Sequence, residues 1–355
     1  MSRLLREVCP IGVPDTKGDM DYRAEAATHT MPPMRTTLII LATISMQSCF
    51  IFGDKDQQAR QAMIEVRTEQ AESALADGEY TEATRLFDEI LSADPDNVPA
   101  WIGMGDAYSE LGEWDHAEPA FNEACERSPE SYDAQFGHGL ALQMLDRLVD
   151  AVSAYHRALT IDPMSSEASL GVATSYLQLD EPQHALPFAM RAVEIDDDDG
   201  RAWVSLGAAY EQTGKESEAL DAYLAASERL ESSPELKHNL LHAYARAGRH
   251  REVVGTARSM LADGPSAEAA ERMGWAWFRL GDYNKSADAY RLAVNTDPQM
   301  YRAWNGLGVN ALNRWLISER SDDIALAEAS ESFRASLQLH QDQAKVAKLV
   351  SRYGL

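Results

Sequence analysis

From residue 64 to the C-terminus the chain is built of short amphipathic stretches whose apolar residues recur every three or four positions, the spacing of helices with one buried face. In "AWIGMGDAYSELGEWDHAEPAFNEACERSP" (Ala100 to Pro129) one such stretch breaks at "LGEWD", and a second runs on to a proline. Similar breaks occur at "TGKES", "AGRHR" and "LGDYN". The glycine in each admits a left-handed backbone where a first helix ends. The proline removes an N–H donor and clashes with the preceding turn, which closes the second helix. The pattern predicts an all-α chain of paired helices without a sheet.

The pairs repeat. "AWVSLGAAYEQTGKESEALDAYLAASERLE" (Ala202 to Glu231) aligns with the first stretch: Trp101 with Trp203, Gly105 with Gly207, Tyr108 with Tyr210, Gly112 with Gly214, Ala117 with Ala219, Phe121 with Tyr223 and Ala124 with Ala226. The offset is 102 residues, three periods of 34. This pattern resembles the tetratricopeptide (TPR) repeat family: aromatic at position 4, Gly at 8, Tyr at 11, Ala at 20, aromatic at 24, Ala at 27 and Pro at 32. The register places repeats at 64–97, 98–131, 132–165, 166–199, 200–233, 234–266, 267–300 and 301–342. The last carries about nine extra residues around "NRWLISERSDD", and "AKVAKLVSRYGL" reads as a capping helix over 343–355. The resemblance implies a right-handed superhelical solenoid of about eight helix-turn-helix repeats, in which small residues let helices approach and stacking supplies the core. Pro119 and Pro187 fall inside second helices, where they should bend the helix or delay its start.

In this family, positions 2, 5, 9 and 12 of the leading helix face the concave side. Position 5 reads Thr68, Ile102, Phe136, Leu170, Val204, His238, Glu271, Asn305, so four consecutive repeats carry a large apolar residue there. Leu140, Leu177, Trp275 and Phe278 extend this surface, and position 2 is acidic at Glu65, Asp133, Glu167, Glu235 and Glu268. An apolar floor with an acidic margin suits a protein or peptide ligand of apolar and basic character. Position 5 is expected to be free of packing duty, with Phe136 as the hot spot; the alternative is that these side chains close against one another. The family's carboxylate clamp for chaperone peptides, made of groove Lys, Asn and Arg, is not matched here.

Charge and motifs narrow the function. The chain holds 57 Asp+Glu against 32 Lys+Arg, a net charge of -25, a field that opposes nucleic-acid binding. Cys9, Cys49 and Cys125 form no CxxC or zinc spacing. There is no GxSxG, P-loop, HExxH or GxGxxG, and no segment outside the array to house a catalytic domain, so neither an enzyme nor a cofactor is expected. His238 and His242, spaced i,i+4, share one helix face and could grip a metal if Glu235 or Glu271 supplied a third ligand. The alternative is a pair of polar residues lining the groove.

"MRTTLIILATISMQSC" (Met34 to Cys49) has the marks of a bacterial secretion signal: Arg35, an apolar run from Leu38 to Met46, and Ser48 before Cys49. It resembles a lipobox, which would make Cys49 the lipidated N-terminus. Residues 1–33 then read as an upstream extension and 50–63 as a tether. The expectation is a lipid-anchored, periplasm-facing scaffold similar to the TPR lipoproteins that serve as adaptors in bacterial envelopes. The competing expectation is a cytoplasmic TPR adaptor without an anchor.

Overall fold

Six leading helices start where a short polar side chain caps them. Asn97, Ser131, Ser165, Asp199, Ser233 and Ser266 each accept a hydrogen bond from a backbone N–H in the first turn of the helix that follows. Such caps contribute about 1 kcal/mol each. The computed structural model describes residues 57–231 and 233–355. Here α1 covers 57–76. It is followed by α2 (Tyr80–Ala93), α3 (Val98–Glu110), α4 (Trp114–Arg127), α5 (Tyr132–Met144), α6 (Leu148–Ile161), α7 (Ser166–Gln178) and α8 (Pro182–Ile195). Then come α9 (Gly200–Gln212), α10 (Glu216–Arg229), α11 (Pro234–Arg246), α12 (His250–Asp263), α13 (Ala267–Arg279), α14 (Tyr283–Thr296), α15 (Tyr301–Ile317), α16 (Asp323–Leu339) and α17 (Ala344–Tyr353). Among the described residues there is no strand, and none of their helices is long and apolar enough to cross a membrane.

Neighbouring helices pack in antiparallel pairs, and the pairs stack into a helical solenoid over Met63–Leu355. Leading helices of successive repeats also touch directly, α3 with α5, α5 with α7, α7 with α9, α11 with α13 and α13 with α15. The side on which neighbours crowd is the inside of the curve, so the leading helices form the inner face. The turns follow the glycine signal: Gly112, Gly214, Gly248 and Gly281 have φ of 73, 78, 68 and 81°, and Asp146 and Asp180 take the same conformation at 59°. The helix α17 closes the C-terminal end, with Val346 buried and Leu349, Val350 and Tyr353 packed beside Trp315 and Phe333.

Three expectations need amendment. Residues 57–63 are helical, so the second half of the stretch read as a tether belongs to α1. The extra residues near "NRWLISERSDD" mostly lengthen helices: α15 and α16 have 17 residues each, against 13 and 14 in α3 and α4. Pro119 and Pro187 delay neither helix, since α4 starts at Trp114 and α8 at Pro182.

Three joints between repeats share one device. The position-24 ring of the second helix enters the space left by a glycine at position 8 of its own repeat and a glycine at position 6 of the next. Phe121 lies against Gly105 and Gly137, Tyr155 against Gly139 and Gly171, and Tyr290 against Gly274 and Gly306. It is half-made with Phe87 against Gly103, Tyr223 against Gly207 and Phe333 against Gly308, and between repeats four and five Ala189, Ala173 and Ser205 replace the ring and both glycines. These rings are almost wholly buried. Removing such a ring from a core costs about 3–5 kcal/mol. A second device sits at the loops that join successive repeats. The Trp101 indole and the Arg127 guanidinium both donate to the Pro95 carbonyl, and Arg127 lies 5.2 Å over the Trp101 ring. Trp203 and Arg229 do the same at the Asp197 carbonyl. Exposed cation–π pairs contribute about 0.5–1 kcal/mol, so the buried ring dominates.

This packing sets opposite outcomes for two glycines within helices. A Cβ on Gly306 would overlap the Tyr290 ring, whereas one on Gly255, exposed in α12, meets no atom within 4 Å. Gly306→Ala is therefore expected to destabilise by about 1–3 kcal/mol through overpacking. Gly255→Ala should stabilise by about 0.5–1 kcal/mol through helix propensity. Urea denaturation of the two variants checks both signs.

Candidate peptide-binding groove

The inner face is built from the leading helices, and the expected groove residues stand on it half-buried. Ile102 rests on Ala117, Phe121 and Ala141, Leu170 on the cluster around Ala173 and Leu206, and Val204 on that of Ala219 and Tyr223. Phe136 stacks on Tyr132 and tilts against Tyr155, with both centroid distances 5.7 Å. This corrects the expectation that position 5 is free of packing duty. The core ring Tyr155 lies beneath Phe136, so Phe136 covers the core with one side of its ring. Leu140 and Leu177 are half-buried along the same helices.

The seven groove residues do not form one run. Ile102, Phe136, Leu140, Leu170 and Val204 belong to repeats two to five. Trp275 meets His250 edge-on at 4.9 Å, and Phe278 meets Tyr283 at 5.3 Å, both from repeat seven. Between these stretches lies a polar segment from α11 and α13. There His242 Nε2 is 2.8 Å from Glu268 Oε1, and His238 Nδ1 is 3.5 Å from Glu268 Oε2. The carboxylate nearest the histidines is thus Glu268, not Glu235 or Glu271. Glu235 is exposed on the histidines' own helix, and Glu271 is turned into the protein, 3.7 Å from Arg272. Loss of solvation lowers the His242 pKa, the Glu268 hydrogen bond opposes this, and the Arg272 charge adds to it.

Acidic groups sit inside the concavity as well as on its margin. Asp106, at position 9 of repeat two, is exposed, with the carboxylates of Asp133 and Glu110 close by. Its carboxyl is pushed up to about 6, first by lost solvation and then by the charges of Asp133 and Glu110. Burial also raises Glu271, against the lowering pull of Arg272 and Arg302. Neighbouring leading helices are tied across the face by polar side chains: Gln143 Nε2 donates to Thr174 Oγ1 and to Gln178 Oε1, both at 3.1 Å, and Arg246 donates to Glu211. Asp106 and Glu268 were not singled out as site residues from the sequence. Their positions, 9 and 2, were the available signal. Cys49 lies outside the described residues.

Two segments, residues 74–138 and 200–229, match family models described as tetratricopeptide repeat. No curated protein matches the chain. Among solved structures, a tetratricopeptide repeat protein from Parabacteroides merdae is 14% identical over 70% of this chain and 98% of its own, with a TM-score of 0.50. MamA is 25% identical over 45% of this chain and 93% of its own, with a TM-score of 0.43. A thermophilic TPR protein of Thermus thermophilus is 21% identical over 51% of this chain and 99% of its own, with a TM-score of 0.42. With its 34-residue register, its stacked helix pairs and these matched segments, the chain is a tetratricopeptide repeat protein.

Proposed function

We propose that this chain is a non-enzymatic adaptor, anchored to a bacterial membrane through Cys49 and facing the periplasm, that takes a peptide of apolar and basic character along its inner face. Tetratricopeptide arrays are protein-interaction scaffolds, and the finer reading rests on what this array presents. The observation that carries it is the placement of Ile102, Phe136, Leu170 and Val204. They are half-buried at one position of four successive leading helices, with the exposed carboxylates of Asp106, Asp133 and Glu167 on the same helices. Full burial of such side chains is worth about 1.5–3 kcal/mol each, and a half-buried one retains part of that for a ligand. Phe136, the aromatic among them, is the anchor. The acids select a basic partner and discourage an acidic one. The anchor itself rests on the sequence from Met34 to Cys49: a short apolar run behind Arg35, ending in a cysteine after Ser48.

A panel of peptides with a common apolar spacing and basic, neutral or acidic flanks tests the groove. Basic peptides should bind best, and Phe136→Ala should weaken them by about tenfold, near 1.4 kcal/mol. Melting must be followed in parallel, because Phe136 also covers Tyr155. Asp106→Asn with Asp133→Asn should weaken the same peptides with little change in stability. As pH falls through about 6, Asp106 takes up its proton and loses its negative charge. Affinity should therefore decline between neutral pH and pH about 5, and Asp106→Asn should flatten that decline. Preference for acidic peptides, or a pH profile unchanged in the variant, would refute the assignment. The membrane reading has its own test. Protein expressed from the full chain in bacteria should partition into detergent, and its Cys49→Ser variant into the aqueous phase. An unacylated N-terminus by mass spectrometry would reject the anchor.

A further inference from the structure

Like the joint between repeats four and five, the joint between repeats six and seven departs from the ring-and-glycine device. Ala257 stands where the ring belongs, Leu241 where the repeat's own glycine belongs, and Arg272 where the next repeat's glycine belongs. Arg272 Nε is buried without a hydrogen-bond partner. On the inner side of this joint three side chains converge from two helices. His238 and His242 lie one turn apart on α11 with ring centroids 4.5 Å apart, and Glu268 reaches them from α13. One ligand atom from each, Nδ1 of His238, Nε2 of His242 and a Glu268 oxygen, lies within 4.8 Å of the others.

We propose that His238, His242 and Glu268 form a divalent transition-metal site, suited to zinc, that staples repeat six to repeat seven. Zinc takes imidazole nitrogen and carboxylate oxygen at about 2.0–2.2 Å, so ligand atoms around a tetrahedral ion stand roughly 3.3 Å apart. The His–Glu separations of 2.8 and 3.5 Å bracket that value. Small rotamer adjustments bring the three donors around one ion. An ion pair needs only one histidine. Two imidazoles aimed at the two oxygens of one carboxylate are a donor set in excess of that need. Two neutral imidazoles and one carboxylate leave the bound ion with a net positive charge. Arg272 opposes this charge, and Glu271, 3.7 Å from Arg272, offsets it. The side chains of His238, His242 and Glu268 are 49, 20 and 40% exposed, so a fourth coordination position opens to water from the groove side. Binding exchanges the His242–Glu268 hydrogen bond for two metal–ligand bonds, with the Nε2 proton released to solvent or moved to Nδ1. The site draws on the packing of α11 and α13 alone and does not depend on the peptide reading of the groove.

The experiment uses the full chain, stripped with chelator and titrated with zinc in a non-coordinating buffer. The expected result is one saturable zinc per chain, a melting temperature that rises with zinc, and a visible d–d band when cobalt(II) replaces it. His242→Gln and Glu268→Gln should each weaken zinc binding by at least about tenfold and abolish the cobalt band. Their metal-free forms should keep the metal-free wild type's circular dichroism. His184→Gln, remote from the triad, should bind as wild type does. Absence of saturable zinc binding, or binding and cobalt spectra unchanged in both triad variants, would overturn the proposal. The near-isosteric Glu268→Gln keeps the test decisive should a histidine variant fold poorly.

Discussion

An aromatic ring held between two glycines is the contact on which the rest of this molecule depends. Phe121, Tyr155 and Tyr290 each belong to the second helix of one repeat, yet each fills space vacated by a glycine in its own leading helix and by another in the leading helix that follows. No repeat can complete this contact alone. Covalent neighbours thus become packing neighbours, and the spacing between leading helices is set by the thickness of a ring rather than by that of two Cβ atoms. Because the leading helices draw together, they line the inside of the curve. The inner face therefore follows from the joints.

That dependence also means that lining and packing are shared by the same side chains. Phe136 touches Tyr155, which is itself clasped by Gly139 and Gly171. Val204 covers Tyr223, and Ile102 covers Phe121. A ligand resting on these residues presses on the joints directly, so occupancy of the groove and stiffness of the stack are linked. The apolar surface of repeats two to five stops at His238 and resumes at Trp275. The intervening polar segment coincides with the joint at which Ala257 and Leu241 replace ring and glycine.

Much of this architecture was legible in the sequence because each local signal recurs at a fixed offset. The turn glycines, the closing prolines and the alanines at positions 20 and 27 mark helix ends and close approaches within a single repeat, which a linear pattern can carry. The glycine at position 6 escaped because its reason for being small lies in the preceding repeat, on a different helix. The packing role of position 5 escaped for the same cause: the ring beneath Phe136 is contributed by Tyr155 of the following helix. Glu268 was passed over as a partner for the histidines. Which acid on α13 faces α11 depends on how the two helices are rotated about their axes, and a joint of unusual composition does not inherit that from its neighbours. The cap residues Asn97, Ser131, Ser165, Asp199, Ser233 and Ser266 could have been read directly, as each immediately precedes a leading helix.

If stability is a sum over joints, each governed by its own ring and glycines, the array should not open uniformly. Native-state hydrogen exchange, resolved by helix and measured on metal-free protein, addresses this directly. Helix α5, between the fully made joints of Phe121 and Tyr155, should exchange slowest. Helices α9 and α11, each between one joint without ring or glycine and one half-made joint, should exchange fastest among the interior helices. Uniform opening of all helices, or α11 among the slowest, would contradict the account.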